Sequence, residues 1–210
     1  MQRFEPTDRW LRHANMDDFE TVCGVYDYAR RLMAEQGNSR QWGSCYPEPE
    51  VIRADIEGGH TIVLVDNAAR LAEPPEHAVY PAPELEERIG GNERVIGLLA
   101  LFEGKDEYYA HITGAWLDED PYVTAHRVAS SGVAKGASAD MLGWLQRHFD
   151  NIRVDTGYNN HAMQHVLERQ GFTACGEITM PERPNDDIEL ARIGYQWHPH
   201  RRSGLPEFRR

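Results

Sequence analysis

A single α/β (α+β) domain, with a mixed central sheet of about six or seven strands flanked by about four helices, is predicted by three features of the sequence. The stretch from His126 to Phe172 reads as strand, glycine-containing turn, helix, strand and second helix. The run Arg94-Val95-Ile96-Gly97-Leu98-Leu99-Ala100-Leu101-Phe102-Glu103 is almost continuously apolar, as a central strand covered on both faces must be. A length of 210 residues suffices for one substantial core. Residues 1–200 are therefore assigned to this domain, with a Pro-rich acidic insertion at 67–93 and a basic tail at 201–210.

In chain order, Trp10-Leu11-Arg12-His13-Ala14 predicts a short strand, and Asn15 or Asp17 caps the helix that follows. Phe19, Val22, Tyr26, Ala29 and Met33 form that helix's apolar stripe, and Gly37 and Asn38 stop it. Residues 36–47 hold too many turn formers for regular structure, yet they carry Trp42 and Tyr46, which serve either as lids over the core or as pocket walls. A short helix over 48–58 presents Val51, Ile52 and Ile56 on one side, and His60 to Val65 reads as a buried strand. Between Asp66 and Glu93, Pro74, Pro75, Pro81 and Pro83 exclude regular structure, and Glu84, Glu86 and Glu87 read as a solvated face. Such a loop is an insertion or an active-site lid; the former is the plainer reading.

The strong strand ends at Glu103, with Asp106, Glu107, Tyr108 and Tyr109 after it. A carboxylate at the end of a central strand is a natural general base where partial burial raises its pKa, although many such groups are simply solvated. His126 is the competing base, because imidazole titrates near neutral pH. Arg127 beside it is either an ion-pair partner or an interior anchor. The turn from Gly132 to Ser138 delivers backbone N–H groups to the start of a helix bearing Met141, Leu142, Leu145 and Phe149 on one face, the arrangement of an anion site with Lys135 adding charge. Residues 151–156 alternate as a half-buried strand, and Asn159 or Asn160 caps a helix carrying Met163, Val166 and Leu167 toward the core. Gly171 closes it. Residues 172–179 and 188–197, joined by a turn at 181–186, complete the sheet as an antiparallel pair.

The order Val128, a turn ending Lys135-Gly136-Ala137-Ser138, a helix, a strand, then Asn160 and Gln170-Gly171-Phe172 resembles the acyl-CoA-binding core of the GNAT superfamily of N-acetyltransferases, as in its bacterial members. In that family the turn usually reads Gln/Arg-x-x-Gly-x-Gly/Ala and its amides hold the pyrophosphate of acetyl-CoA. Gly136 matches the first glycine, whereas Val133 and Ser138 depart from the flanking positions, removing one side-chain contact and adding a hydroxyl. The later piece usually reads Asn-x-x-Ala-x-x-Leu-Tyr-x-x-x-Gly-Phe, which brings Asn160, Met163, Val166, Leu167, Gly171 and Phe172 into register. Leu167 thus stands where many members carry the tyrosine that protonates the leaving thiolate.

The resemblance implies a GNAT-like domain with its acyl-CoA site at a splayed pair of parallel strands. It implies that Val128, Ala129 and Ser130 line that site, a backbone N–H near Val128 or Ala129 facing the carbonyl oxygen. Lys135, Gly136, Ala137 and Ser138 would hold the pyrophosphate and Asn160 the pantetheine arm. Trp42 and Tyr46 would border the acceptor, with Glu103 or His126 as the base. The implied reaction is transfer of acetyl from acetyl-CoA to a primary amine by direct attack in a ternary complex. With Leu167 in place of the tyrosine, the thiolate would take its proton from Tyr158, water or another side chain, or depart unprotonated. A non-catalytic acyl-CoA-binding or sensing module, and an interaction protein with a merely structural turn, are the alternatives.

Composition bounds these readings. Lys and Arg number 22 against 34 Asp and Glu, for a net charge of -12, which argues against nucleic acid and favours a cationic or amine substrate. Cys23, Cys45 and Cys175 lie far apart without metal-ligand spacing, so neither a metal nor a disulfide framework is expected. The start lacks an apolar leader and no segment approaches about 18 uninterrupted apolar residues, so a cytoplasmic protein without membrane contact is expected. The contrast between the acidic body and the tail with Arg201, Arg202, Arg209 and Arg210 would promote a homodimer.

Overall fold

The computed structural model describes residues 9–67, 82–86, 92–182 and 188–199. Strand β1 (Trp10–His13) leads into a 3-10 turn at Met16–Asp18, where the Asn15 side chain accepts from Asp17 N–H and Asp18 reaches back to the Asn15 N–H. This reciprocal cap launches α1 (Phe19–Glu35), which ends where Gly37 adopts φ 84°. Pro49 stands in the first turn of α2 (Pro49–Glu57), where its missing N–H costs nothing. Strands β2 (Thr61–Asn67), β3 (Glu93–Glu103), β4 (Thr113–Gly114) and β5 (Val123–Ser130) follow. The chain then alternates α3 (Ala137–His148), β6 (Ile152–Thr156) and α4 (His161–Arg169), and closes with β7 (Thr173–Thr179) and β8 (Ala191–Trp197).

The sheet runs β1-β2-β3-β5-β6-β8-β7-β4, eight strands rather than the expected six or seven. The extra one is β4, whose two residues pair with Glu177 and Gly176 of β7. Nothing so short carries a period-two pattern. It exists because the backbones meet closely: a Cβ on Gly114 would lie 2.3 Å from the Cys175 carbonyl oxygen. Helices α3 and α4 cover one face of the sheet, α1 and α2 the other. Successive residues of β2 divide accordingly, Ile62 and Leu64 packing in the core with Met141 and Leu142, Val63 and Val65 in the core with Val22 and Tyr26.

Most of the 67–93 insertion, the turn residues 183–186 and the tail 201–210 lie outside the described residues. The described part of the insertion is irregular and Glu84 is exposed, but its backbone is pinned to the sheet. Leu11 N–H donates to Glu84 O and Glu86 N–H to Leu11 O, each at 2.8 Å, so Leu85 lies against the outer edge of β1. Glu84 also stands 3.4 Å from Arg147 and 3.3 Å from His148 at the end of α3. Proline exclusion forbids a regular strand but not a single main-chain bridge on an edge.

Gly97 of β3 sets how closely the start of α3 approaches the sheet. A Cβ there would meet Met141 Cε at 2.9 Å, Ala137 Cβ at 3.1 Å and Ala129 O at 3.2 Å. Gly97→Val is expected to destabilise the fold by about 1–3 kcal/mol through overpacking, read as a lower denaturation midpoint at an unchanged slope. An unaltered midpoint would show that α3 does not depend on this contact.

Candidate active site

Strands β5 and β6 are parallel, but they pair only at Val123↔Ile152 and Thr124↔Arg153. Beyond Thr124 they separate: β5 stays with β3 as far as Gly97↔Ser130, and β6 stays with β8 as far as Thr156↔Ile193. The cause is a bulge in β5. Ala129 pairs with Leu98 and His126 with Ala100, so Arg127 and Val128 together oppose Leu99 alone. Arg127 takes φ 53°, a left-handed conformation unusual for a residue with a side chain. Its guanidinium holds it there, donating to Asp55 Oδ2 at 2.6 Å and to the Tyr46 hydroxyl at 2.9 Å.

The gap is the floor of a cleft of about 200 Å³. Residues 125–130 and 154–156 line it from the sheet, Asn160, Ala162, Met163 and Val166 from α4, Ser138 from α3, and Trp42 and Tyr46 from the loop after α1. Trp42 is held edge-on by Tyr26, ring centroids 5.7 Å apart, and packs edge-on against Tyr46 at 6.5 Å. Gln41 pins that loop across the cleft, its Oε1 accepting from Asn38, Gly157 N–H and Asn160 at 2.9, 3.1 and 3.1 Å.

Of the sequence-derived candidates, Trp42, Tyr46, His126, Val128, Ala129, Ser130, Ser138 and Asn160 meet in this one cleft. Asn160 also caps α4, accepting from Met163 N–H at 3.2 Å. Lys135 and Gly136 are exposed beside it and Ala137 is buried as the first residue of α3. Gly136 sits at the N-cap with φ 84° and no side-chain cap, so the amides of the first turn of α3 face outward without a side-chain acceptor there. Arg9 steadies the turn from outside, donating to Lys135 O at 3.2 Å and Asp140 Oδ2 at 2.6 Å. Glu103 is brought elsewhere: it is exposed at the end of β3, paired with Val123, outside the cleft lining. Leu167 is wholly buried in the core beneath α3 and α4. Tyr158 donates to Glu177 Oε2 at 2.7 Å, away from the cleft lining, and burial together with Glu177 pushes its phenol up to about 12.

Around His126 the structure assembles charge. Its Nε2 lies 2.6 Å from Asp106 Oδ2, and its Nδ1 lies 3.7 Å from Asp155 Oδ1, an ion-pair distance too long for a hydrogen bond. Asp106 is oriented by accepting Tyr108 N–H at 2.9 Å, and Asp155 by accepting the Tyr109 hydroxyl at 2.7 Å. Phe102 and Tyr109 meet the imidazole edge-on, with centroids at 5.7 and 5.8 Å. A carboxylate acceptor requires Nε2 to carry the hydrogen, so the neutral ring offers its lone pair at Nδ1. Burial disfavours the imidazolium, but the hydrogen bond to Asp106 and the charge of Asp155 outweigh it, raising the pKa above the ordinary histidine value. Burial likewise works against the Asp155 carboxylate, yet His126, Tyr109 and Arg192 hold its pKa below the usual range.

Asp106, Tyr109, Asp155 and Gln41 are the residues that sequence reasoning did not single out. Asp155 carried a faint signal: it falls on the face of β6 opposite Ile152 and Val154, on a strand parallel to the one bearing His126. Asp106 and Tyr109 belong to a short turn with no pattern of its own.

No protein-family model matches the sequence, and no curated protein sequence matches it. Among solved structures the chain is similar to a GNAT-family acetyltransferase from Streptococcus agalactiae, at 22% identity and TM-score 0.67 over 93% of this chain and 98% of that one. It is similar to a GNAT-family acetyltransferase from Listeria monocytogenes at 16% identity and TM-score 0.55, covering 90% and 94% of the two chains. A chain of the NatC complex bound to Gag peptide and CoA aligns at 13% identity and TM-score 0.50, over 91% and 98%. The fold is that of the GNAT acetyltransferases.

The histidine cluster predicts its own titration. In an NMR titration, the His126 imidazole is expected to show a midpoint above about 6.5, and Asp106→Asn to move it downward. A midpoint that ignores the substitution would show that Asp106 does not govern the ring.

Proposed function

We propose that the chain is an N-acetyltransferase that moves an acetyl group from acetyl-CoA to a primary amine by direct attack in a ternary complex. One observation carries the proposal: the gap between β5 and β6 lies between the uncapped start of α3 at Gly136 and a histidine held by two carboxylates. The residues fit an acyl-CoA. On the side of β5 facing the gap, residues 125–130 have no strand partner and can meet an extended amide-rich arm. Ala162, Met163 and Val166 supply an apolar wall, and a Cβ placed on Gly136 would come no nearer than 4.0 Å to any other group, leaving open space for a phosphate at the helix start. That one of the similar structures holds CoA agrees with this reading.

The thioester supplies an activated acetyl carbonyl; the chain supplies position and a proton acceptor. His126 Nδ1 takes a proton from the substrate ammonium, with Nε2–H held by Asp106. The free amine then forms its N–C bond to the acetyl carbon as the C–S bond breaks, and the second proton lost from nitrogen goes to the departing sulfur. Charge developing on the carbonyl oxygen meets backbone N–H groups around the bulge at Val128. Trp42 and Tyr46 wall the acceptor side. A cytoplasmic location belongs to the same proposal, supported by three free thiols at Cys23, Cys45 and Cys175; no helix among the described residues is long and apolar enough to cross a membrane.

One observation favours a second reading, a non-catalytic acyl-CoA-binding module: Leu167 is sealed in the core and α4 offers the cleft no phenol. Binding and turnover separate the two. Isothermal titration of nucleotide-free protein with acetyl-CoA is expected to give pantetheine-dependent, micromolar binding that Gly136→Glu weakens at least tenfold by setting a carboxylate against the phosphates. No binding at millimolar acetyl-CoA would end the proposal. Thiol release on an amine panel is expected to fall about 10²–10⁴-fold in His126→Asn and to stay unchanged in Glu103→Gln. Binding without thiol release on any amine would favour the module.

The pH dependence has a definite sign. Because the His126 pKa is raised, the base is lost as pH falls, so kcat/KM is expected to rise with pH through a midpoint above about 6.5. A flat profile across that range would remove His126 from the role.

A further inference from the structure

The acceptor end of the cleft contains Trp42, Tyr46, Met33 and Met180 as apolar walls and a small number of charged groups. Arg127 is engaged by Asp55 and Tyr46. The Arg192 guanidinium donates to the carbonyls of Gln41, Glu189 and Ala191. Asp155 differs from both. Its contacts with the Tyr109 hydroxyl and with His126 Nδ1 all fall on Oδ1, while its second oxygen takes part in none of them. The carboxylate is nearly enclosed, with 12% of its side chain exposed, and it lines the cleft. That second oxygen is not among the sealed, unpaired polar atoms, so it opens on the cleft, where a charged donor can take the place of water.

We propose that Asp155 Oδ2 seats the acceptor's ammonium, next to the imidazole that takes its proton, and that the site therefore selects small cationic primary amines without a carboxylate. This deepens the acetyl-transfer reading and rests on it. Charge bookkeeping supports the selection. Facing Asp155 are His126 from β5, Tyr109 and Asp106 from the turn after β3, and Arg192 from β8. Counting Asp106 and Asp155 against Arg192, the group is net negative by one charge when the imidazole is neutral and net zero when it is protonated. An ammonium therefore binds best beside neutral His126, so its arrival expels the imidazole proton and readies the base. This is linkage: ligand and proton compete for one field. A substrate carboxylate near the amine would meet Asp155 and Asp106 unfavourably, and an uncharged isostere would leave Oδ2 without its partner.

The test uses the full chain and n-butylamine as probe, with n-butanol as its neutral isostere and 4-aminobutyrate as its carboxylate-bearing analogue. Each is titrated calorimetrically, with and without saturating CoA, in two buffers of different ionisation enthalpy at a pH near the His126 midpoint. n-Butylamine is expected to bind at least about tenfold more tightly than either analogue and to release protons on binding; Asp155→Asn is expected to weaken it about tenfold or more while acetyl-CoA affinity is kept. Equal binding of n-butanol, or an Asp155→Asn variant that retains its n-butylamine affinity, overturns the proposal. Should the variant fail to fold, the comparison of amine with alcohol on the unaltered chain decides alone. Amine binding through Asp155 in a protein that does not bind CoA would sustain the ammonium seat and overturn the acetyl-transfer reading.

Discussion

The backbone of Arg127 is the constraint on which the rest of the site depends. A left-handed conformation at a residue with a side chain costs on the order of 1–3 kcal/mol and persists only where the surroundings over-determine it. Here they do: the guanidinium crosses to Asp55 of α2 and to Tyr46 of the loop after α1, so two separate segments hold the residue. The conformation makes the bulge, and the bulge bends β5 away from β6. Without it the two parallel strands would pair to their ends and the cleft would be filled by the sheet itself. The same side chain also engages Tyr46, one wall of the cleft. A single strained residue thus opens the gap and furnishes one side of it.

The charges gathered behind the bulge have a stability consequence that follows from their opposite shifts. His126 has a raised pKa, so its contribution is fully present below about pH 6.5 and is lost as pH rises through the folded value. Asp155 has a lowered pKa, so its contribution is present above about pH 3.9 and is lost on acidification through the folded value. The pair is therefore most stabilising in the acidic window between those limits. The base function proposed for His126 asks for the opposite, a neutral imidazole at higher pH. The cluster gives up stability in the range where it would work, the usual position of a group poised for proton transfer.

Much of this architecture was legible in the sequence because it rests on local patterns. The apolar run at 94–103 and the crossover from His126 to Phe172 gave the central strands and α3 and α4 close to their observed bounds. Asn15, Gly37, Asn160 and Gly171 marked helix ends through short-range chemistry that needs no tertiary context. What was not legible depends on residues distant in sequence. Asp106 reaches His126 across 20 positions, and Asp55 reaches Arg127 across 72. Gln41 gathers three donors from two segments more than a hundred residues apart. By position along the chain Glu103 was the first candidate base and His126 its competitor; their surroundings differ in a way the sequence does not show, since Glu103 is exposed at a strand end and His126 lines the cleft. β4 escaped because its cause is two glycines meeting across strands rather than any pattern along one.

The replacement of the usual tyrosine by Leu167 weighs less than it first suggests once the two proton transfers are compared. An alkylammonium with a pKa near 10.4 must lose about 3.4 units of proton affinity at pH 7, roughly 4.6 kcal/mol, before its nitrogen can attack. An alkyl thiolate with a pKa near 8.5 leaves only about 1.5 units short of neutrality, roughly 2 kcal/mol, and can be quenched after departure by the proton the nitrogen sheds. In the proposed reaction the base is thus the more demanding requirement, and the proposed base, His126, is the group held by Asp106 with Tyr109 and Asp155 beside it. Seating an ammonium against Asp155, as proposed, would have a cost of its own, because a nearby carboxylate raises the proton affinity that His126 would have to overcome. Two features limit that cost. The Tyr109 hydroxyl already draws on the Asp155 charge, and the charge of Arg192 opposes it, so the proposed seat would be weaker than a bare carboxylate. A stronger seat would hold the substrate longer and leave it protonated; a weaker one would leave the base without a substrate in place.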